Sequence, residues 1–530
     1  MIRWLWRRIA STGSGDGGPQ TAANLLVQAR LSNTAKDLRE ALREPAGQPD
    51  FMSQQLPKLL EGLRALRWPE LEVEKLLTYA DFYSGANARA YQRVVQQSLA
   101  RDDYTLFMTA CAYCYLADRF EEGAVLLDMF QPDADPSTDW AEYLAYAAYI
   151  YFAAGRPIEQ SLVCIDRAVQ GFNYFSPLLV VNAYAIYFEA GRLAECDALN
   201  AWMHNNCPDD PGAVYAKACI ELARGYYPEG FRLMEARYRM PQLDRFINAS
   251  LLQKPRWEQQ SLHGKRLLVH GEQGLGDLIM MARYLPLLRE QGAQLVLDMR
   301  AEAVSLFQHN FPWCTFIVGD LKNPITEPFD YWTGIMSLPH HFQSTTENLP
   351  LTEGYLSAPE EQSAYWKSRI HALPGSSGLR VGIAWSGNPG HRADKRRSMP
   401  FALMSGLVRK HPDIQFFPLQ TQAPPGRPSN MVDLADELLT MADTAAVISG
   451  MDLVISVDTS AIHVAGALGR TAWLLLPYRY EWRWGLEGNS NAWYDSVRVL
   501  RQRQAGAWPE LLDRVDLALQ DLKNTKAVAR

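Results

Sequence analysis

Three short stretches carry residues able to do chemistry, and each lies where a strand pattern gives way to a helix pattern. The first is Gly271-Glu272-Gln273-Gly274-Leu275-Gly276-Asp277. Glycines there let a substrate reach the backbone. Free amides at the helix start attract an anion, and Asp277 can point a carboxylate into a cleft. The second is a basic run, His391, Arg392, Lys395, Arg396 and Arg397, directly after a core strand and Gly387-Asn388-Pro389-Gly390. A cation cluster in that place suits phosphate. The third is Asp458-Thr459-Ser460-Ala461-Ile462-His463. Amides and hydroxyls of Thr459 and Ser460 at a helix N-terminus can hold a pyrophosphate, with Asp458 orienting or capping beside them. His463 falls about one helical turn further in, on the face near the loop.

Each stretch also has a plainer reading. Asp277 is a residue that a helix dipole favours in its first turn. The basic run is a solvated charge cluster, and a lone helical histidine is a structural one. Gly274-x-Gly276 with Asp298 at the end of the next strand is a partial dinucleotide fingerprint that lacks its third glycine. Asp133-Ala-Asp135, beside Pro136, reads as a solvated turn.

The elements that must position these residues change character along the chain. From about residue 55 to 245 helical hairpins recur. Their turns fall at Gly85, Asp118, Gly155, Gly191 and Gly225, with a period near ~34 residues that resembles the tetratricopeptide repeat. Such units bury their faces by stacking, which predicts an α solenoid whose concave groove holds a peptide or protein partner, or which serves instead as a scaffold for the second half or as a dimer surface. Beyond residue 245 strands alternate with helices. Strands are expected within 266–271, 293–299, 314–319 and 329–336, then within 380–387, 414–420, 451–458, 471–476 and 497–502. Alternation of this kind means parallel sheets flanked by helices. Two sets joined by a Gly/Pro linker predict two Rossmann-like domains across a cleft, with ligands at the carboxyl ends of the strands. The expected division is a weakly structured segment 1–54, helical repeats 55–245, an acceptor-side domain 260–372 and a donor-side domain 379–530.

Composition narrows the class. Of 530 residues, 48% are hydrophobic and 21% charged, as in an ordinary globular protein. A net charge of -7 argues against a general nucleic-acid binder. Seven scattered cysteines do not form a disulfide framework, and Cys111-Ala-Tyr-Cys114 reads as two buried small hydrophobes in a helix. The opening MIRWLWRRIA is too short and interrupted for a secretory signal. It reads either as a loose terminus or as a weak membrane-surface anchor through residues 2–10.

The phrases GEQGLGDLIMMARYLPLL, VGIAWSGNPGHRADKRRS and DLVISVDTSAIHVAGALG, in that order, resemble the bacterial heptosyltransferase-like glycosyltransferases. GYYPEGFRLMEARY followed by PRW resembles the subgroup in which tetratricopeptide repeats precede that catalytic unit. The resemblance implies a GT-B fold and transfer of a sugar from a nucleotide-sugar donor to an acceptor hydroxyl, by inversion and without a metal or other cofactor. It places the catalytic base on Asp277. Such a base takes the hydroxyl proton as oxygen attacks the anomeric carbon. The donor side falls on Lys395, Arg397, Asp458, Thr459, Ser460 and His463, with Asp443 toward the donor ribose. The acceptor side falls on Gln273, Gly274, Gly276 and His340, which with His341 ends a strand of the first set. Repeat-bearing relatives imply a protein acceptor, flagellin-like Ser or Thr, docked by the repeats. The alternatives are a lipopolysaccharide or other glycan acceptor, or a non-catalytic scaffold. The expected location is the cytoplasm, including the face of the inner membrane.

Overall fold

The computed structural model describes residues 51–83, 92–93, 111–112, 114–115, 118–129, 138–170, 177–240, 247–319, 323–373, 378–388, 394–420, 425–478 and 481–528. The N-terminal segment 2–10, the turn at Gly85, the Asp133/Asp135 pair, and His391 and Arg392 lie outside them. The chain divides into two compact units, one ending at Ala154 and the other Gly155–Arg530.

The described part of the first unit is helical. A turn of π-helix at Phe51–Gln55 leads into α1 (Leu56–Ala65), which pairs with α2 (Glu70–Tyr83). Phe51, Leu59, Leu63, Val73 and Leu76 fill their interface. Then α3 (Phe120–Met129) packs on α4 (Thr138–Ala153). Gly123 lets them come close, since a Cβ there would stand 2.9 Å from both Cys114 Cβ and Ile150 Cγ2. Cys111 and Cys114 are buried and free. Burial pushes both thiols up, Cys114 to about 12. These are packed hydrophobes rather than reactive thiols.

The second unit opens with more helical hairpins: α5 (Ile158–Gln170), α6 (Pro177–Glu189), α7 (Leu193–Asn206), α8 (Pro211–Ala223) and α9 (Tyr227–Met234). The four described turn positions share one conformation. Asp118, Gly155, Gly191 and Gly225 have φ of 56°, 73°, 75° and 86°, the left-handed region that ends a helix. After three of them the next amide reaches back to close the helix end: Arg119 to Cys114, Arg192 to Tyr187 and Tyr226 to Glu221, each at 2.8 Å. The periodic spacing is therefore a repeated helix stop.

Two all-parallel sheets follow. The first contains β1 (Arg266–His270), β2 (Gln294–Asp298), β3 (Thr315–Ile317) and β4 (Tyr331–Gly334), in the order β3-β2-β1-β4. The second contains β5 (Arg380–Ala384), β6 (Gln415–Pro418), β7 (Leu453–Val457), β8 (Ala472–Leu476) and β9 (Val497–Arg501), in the order β6-β5-β7-β8-β9. Between β1 and β2 run α10 (Leu275–Met281) and α11 (Leu285–Glu290), and α12 (Ala301–Asn310) leads to β3. Two further helices, α13 (Leu338–His341) and α14 (Glu360–His371), precede β5. In the second sheet the connections include α15 (Asp394–Arg397), α16 (Phe401–Lys410), α17 (Met441–Ser449) and α18 (Ser460–Ala467), and α19 (Trp508–Val528) closes the chain. The result is mixed α/β with parallel sheets and many helices, and all nine strands fall within the stretches expected for them. The run 329–336 is shorter than its apolar pattern suggested: after Gly334 the backbone turns into a 3-10 segment, Ile335–Ser337. His340 and His341 consequently sit on α13 rather than at a strand end.

Helices α8 and α9 share a core with the sheets, within the compact unit that begins at Gly155. Aromatic packing explains it. Tyr227 stacks on Trp493 at 5.4 Å and Phe231 meets Trp482 edge-on at 5.7 Å. Such pairs add about 0.5–1.5 kcal/mol each beyond the area they bury. Trp482, Trp484 and Trp493 are all buried, as packing residues should be.

Candidate functional site

The strand β1 ends at His270, and the turn after it is held from both sides. On one side Glu272 is buried and accepts from Arg237 Nε at 2.8 Å and Nη2 at 2.7 Å. It also accepts from the Met336 amide at 3.1 Å. Arg237, at the tail of the helical hairpins, further donates to Glu235, Tyr238 and Ser337 at 2.7 Å each. Burial works against charge on Arg237, and Glu272 and Glu235 hold it on, well above its ordinary value. No local spacing in the sequence pairs Arg237 with Glu272.

On the other side stands Asp277. The α10 helix begins at Gly274, and Asp277 in its first turn accepts from the Gly274 amide at 3.0 Å. Its other oxygen accepts from Arg483 Nε at 2.8 Å and also from Nη2. Arg483 comes from the short turn Trp482–Trp484 after β8 and also donates to Gln273 Oε1 at 3.2 Å and to Glu481. Burial opposes its charge, while Asp277, Glu481 and Asp458 drive its pKa well above the ordinary value. Burial pushes the Glu481 carboxyl up, with Arg483 opposing and Asp458 and Asp277 adding to the rise. No local spacing in the sequence pairs Arg483 with Asp277, which lies on another element.

The glycines of this turn are filled by protein. A Cβ on Gly276 would lie 2.6 Å from His463 Cδ2, one on Gly271 2.8 Å from the Asp298 carbonyl oxygen, and one on Gly274 3.3 Å from Asp277 Oδ2. Gly276 therefore serves close packing of α10 on α18. Asp298 is likewise occupied. It bonds His270 Nδ1 at 2.7 Å and accepts from the Gly319 amide at 3.0 Å, tying strand ends together. That removes the acid a dinucleotide ribose would need.

After β7, Asp458 is buried with its carboxylate 3.7 Å from His463 Nε2. Burial opposes its charge, yet His463, Arg483 and Arg397 hold it below the usual carboxylate range. His463 is buried, shares a 3.1 Å hydrogen bond with the Tyr494 hydroxyl through Nδ1, and packs against Trp484. Thr459 is the N-cap of α18 but makes no side-chain cap bond; its hydroxyl meets Ser456 Oγ at 3.1 Å. The first amides of that helix are left without a side-chain cap, and Ser460 is partly exposed beside them.

The basic run divides in the same way. Lys395 is exposed. Arg396 makes a buried ion pair with Glu189. Arg397 donates to Asp394 Oδ1 and to the Asp458 carbonyl, both at 3.0 Å. Asp443 stands apart. It closes a capping box with Thr440, whose amide and hydroxyl donate to it at 3.0 and 2.8 Å, and Trp366 Nε1 donates at 3.3 Å. His340 meets His341 ring to ring, and its carbonyl accepts from Gln343 Nε2 at 2.7 Å. Among the described residues no three His, Cys, Asp or Glu side chains converge as metal ligands, and no helix is long and apolar enough to cross a membrane.

Comparison with known proteins adds the family. Protein FlbA of Caulobacter vibrioides is 30% identical over 448 residues, covering 78% of this chain and 72% of that protein. The chain belongs to the FlbA family. No protein-family model matches it. Among solved structures, E. coli ADP-heptose lipopolysaccharide heptosyltransferase II aligns with 49% of this chain and 99% of its own, at 12% identity and a TM-score of 0.37. A family 9 glycosyl transferase from Veillonella parvula aligns with 46% and 88%, at 13% identity and 0.32. The Thermobaculum terrenum O-GlcNAc transferase aligns with 82% and 90%, at 10% identity and 0.29. Scores this low do not establish a shared fold.

Proposed function

We propose that this chain is a glycosyltransferase of GT-B architecture that moves a sugar from a nucleotide-sugar donor to an acceptor hydroxyl. The observation that carries the reading is the Asp277–Arg483 contact together with Gly276 against His463. These bring the turn after β1 of one parallel sheet onto the turns after β7 and β8 of the other, so that the carboxyl ends of both sheets converge on one place. A carboxylate and an uncapped helix start lie at it, and Arg397 ties the turn that carries the exposed Lys395 to the Asp458 carbonyl.

In this reading Asp277 is the base. Each carboxylate oxygen has two lone pairs, so the bonds to Gly274 and Arg483 leave acceptor capacity for a hydroxyl. As that oxygen attacks the anomeric carbon, its proton passes to Asp277 and the bond to the nucleoside diphosphate breaks. Negative charge grows on the leaving diphosphate. Lys395 and the first amides of α18, with Thr459 and Ser460, are the groups suited to receive it. Arg397 and Asp458 shape the loop behind them, and His463 is a packing partner for the turn rather than a reacting group. Asp443 is assigned to its cap rather than to a donor ribose. The acceptor is a protein serine or threonine presented by the helical hairpins.

The test is thermal denaturation with ADP, GDP, UDP and CMP, then with sugars linked to whichever stabilises. A nucleotide at about 100 times its Kd raises stability by about 2.7 kcal/mol. Lys395→Ala is expected to remove most of that shift. If no nucleotide stabilises the wild-type chain, the reading is wrong.

A further inference from the structure

Basic side chains next to a phosphate need to be aimed, and α15 cannot aim its own. It is a single turn of four residues, Asp394–Arg397, too short to be stable alone. What holds it comes from two directions. Arg397 ties it to the second sheet, through the Asp458 carbonyl at 3.0 Å. Arg396 ties it to the helical hairpins, through the carboxylate of Glu189, the last residue of α6. Both side chains of that pair are under 10% exposed, at 6% for Arg396 and 9% for Glu189. A second contact lies one residue away: a Cβ on Gly155, the helix-stop glycine before α5, would stand 3.4 Å from Lys395 Cβ.

We propose that Glu189 is a positioning residue for the donor-phosphate loop, so that the helical hairpins set the aim of Lys395 in addition to any role in docking an acceptor. This rests on the glycosyltransferase reading above, in which Lys395 meets the donor diphosphate. The physical reason is the cost of breaking a buried ion pair by removing one partner. Without Glu189 the Arg396 guanidinium loses the contact that ties it to the helical hairpins. It swings toward water and carries the adjoining Lys395 and Arg397 with it. A displacement of about 1 Å at a positioning contact can cost up to about a hundredfold in rate or affinity.

The experiment compares the full-length wild type with Glu189→Gln. Donor KM is expected to rise about tenfold while kcat at saturating donor changes by less than about twofold, the pattern of lost donor binding. Hydrogen exchange of the peptide containing 394–400 is expected to quicken without nucleotide present. If Glu189→Gln lowers the melting temperature, Glu189→Gln/Arg396→Met, which leaves no buried unpaired charge, is measured in its place with the same expectations. Unchanged donor KM and unchanged exchange in a folded variant overturn the proposal. Absence of any stabilisation of the wild type by ADP, GDP, UDP or CMP instead overturns the functional reading. Faster exchange in that case still shows the loop to be held by Glu189.

Discussion

The turns after β1 and β7 are alike in sequence and opposite in construction. Both follow a buried strand, both contain an acid, and both open a helix. In the first, Asp277 folds back on the amide of the N-cap Gly274, so a carboxylate already stands at the helix start. In the second, Thr459 turns its hydroxyl to Ser456 and makes no cap bond, so the helix start stays open. An acid three residues into a helix competes with any anion for the free amides, whereas an unused N-cap hydroxyl leaves them available. In the proposed reaction the first turn presents a carboxylate and the second receives the leaving diphosphate.

The largest effect should come from the first turn's acid. Asp277→Asn keeps the shape, but its single amide oxygen can accept from Arg483 or from the Gly274 amide and not from both, and it cannot hold a proton from the acceptor. Sugar transfer is expected to fall by about 10²–10⁴-fold, with nucleotide-induced stabilisation unchanged. Full activity in that variant would reduce Asp277 to a helix-capping residue and end the contrast.

Next is the point where the two turns touch. Gly276→Ala puts a methyl against the His463 ring, which is itself fixed by Tyr494. A loss of about 1–3 kcal/mol is expected in denaturant unfolding, as for overpacking in a core. The partner change His463→Ala in the same chain should recover part of it. A neutral Gly276→Ala would mean that the turns do not pack together in solution.

The smallest effect tests the open helix start directly. Thr459→Ala removes a hydroxyl that caps nothing, so the melting temperature should hardly move while nucleotide affinity falls. Thr440→Ala, at the closed capping box with Asp443, should do the reverse: about 1 kcal/mol of stability lost and nucleotide affinity unchanged. Equal effects at the two threonines would erase the distinction between a closed and an open turn.

Local pattern carried much of this protein. Alternating apolar runs bounded by Gly and Pro are enough to place nine strands, because a strand buried on both faces needs a short apolar run whatever its neighbours are. The helix stops were legible for a similar reason: left-handed backbone costs little at glycine, so Gly155, Gly191 and Gly225 mark turns in any context. The acids, cations and hydroxyls of the site were also visible as residue types at strand ends.

Their partners were not. Glu189 with Arg396, Arg237 with Glu272, and Asp277 with Arg483 are pairs far apart in the chain, and nothing in local periodicity selects one arginine from many. The same holds for Gly276, whose missing side chain is accounted for by His463 on another helix. It holds for α9, joined to the turns of the second sheet through aromatic contacts from the far end of the chain. Backbone preferences and hydrophobic runs act over a few residues, so the order of elements was readable in advance. Charge pairing and close packing depend on which surfaces the fold brings together. That is why Asp277 could be named from the turn alone, while Arg483 could be recognised as its partner only once both sheets were in place.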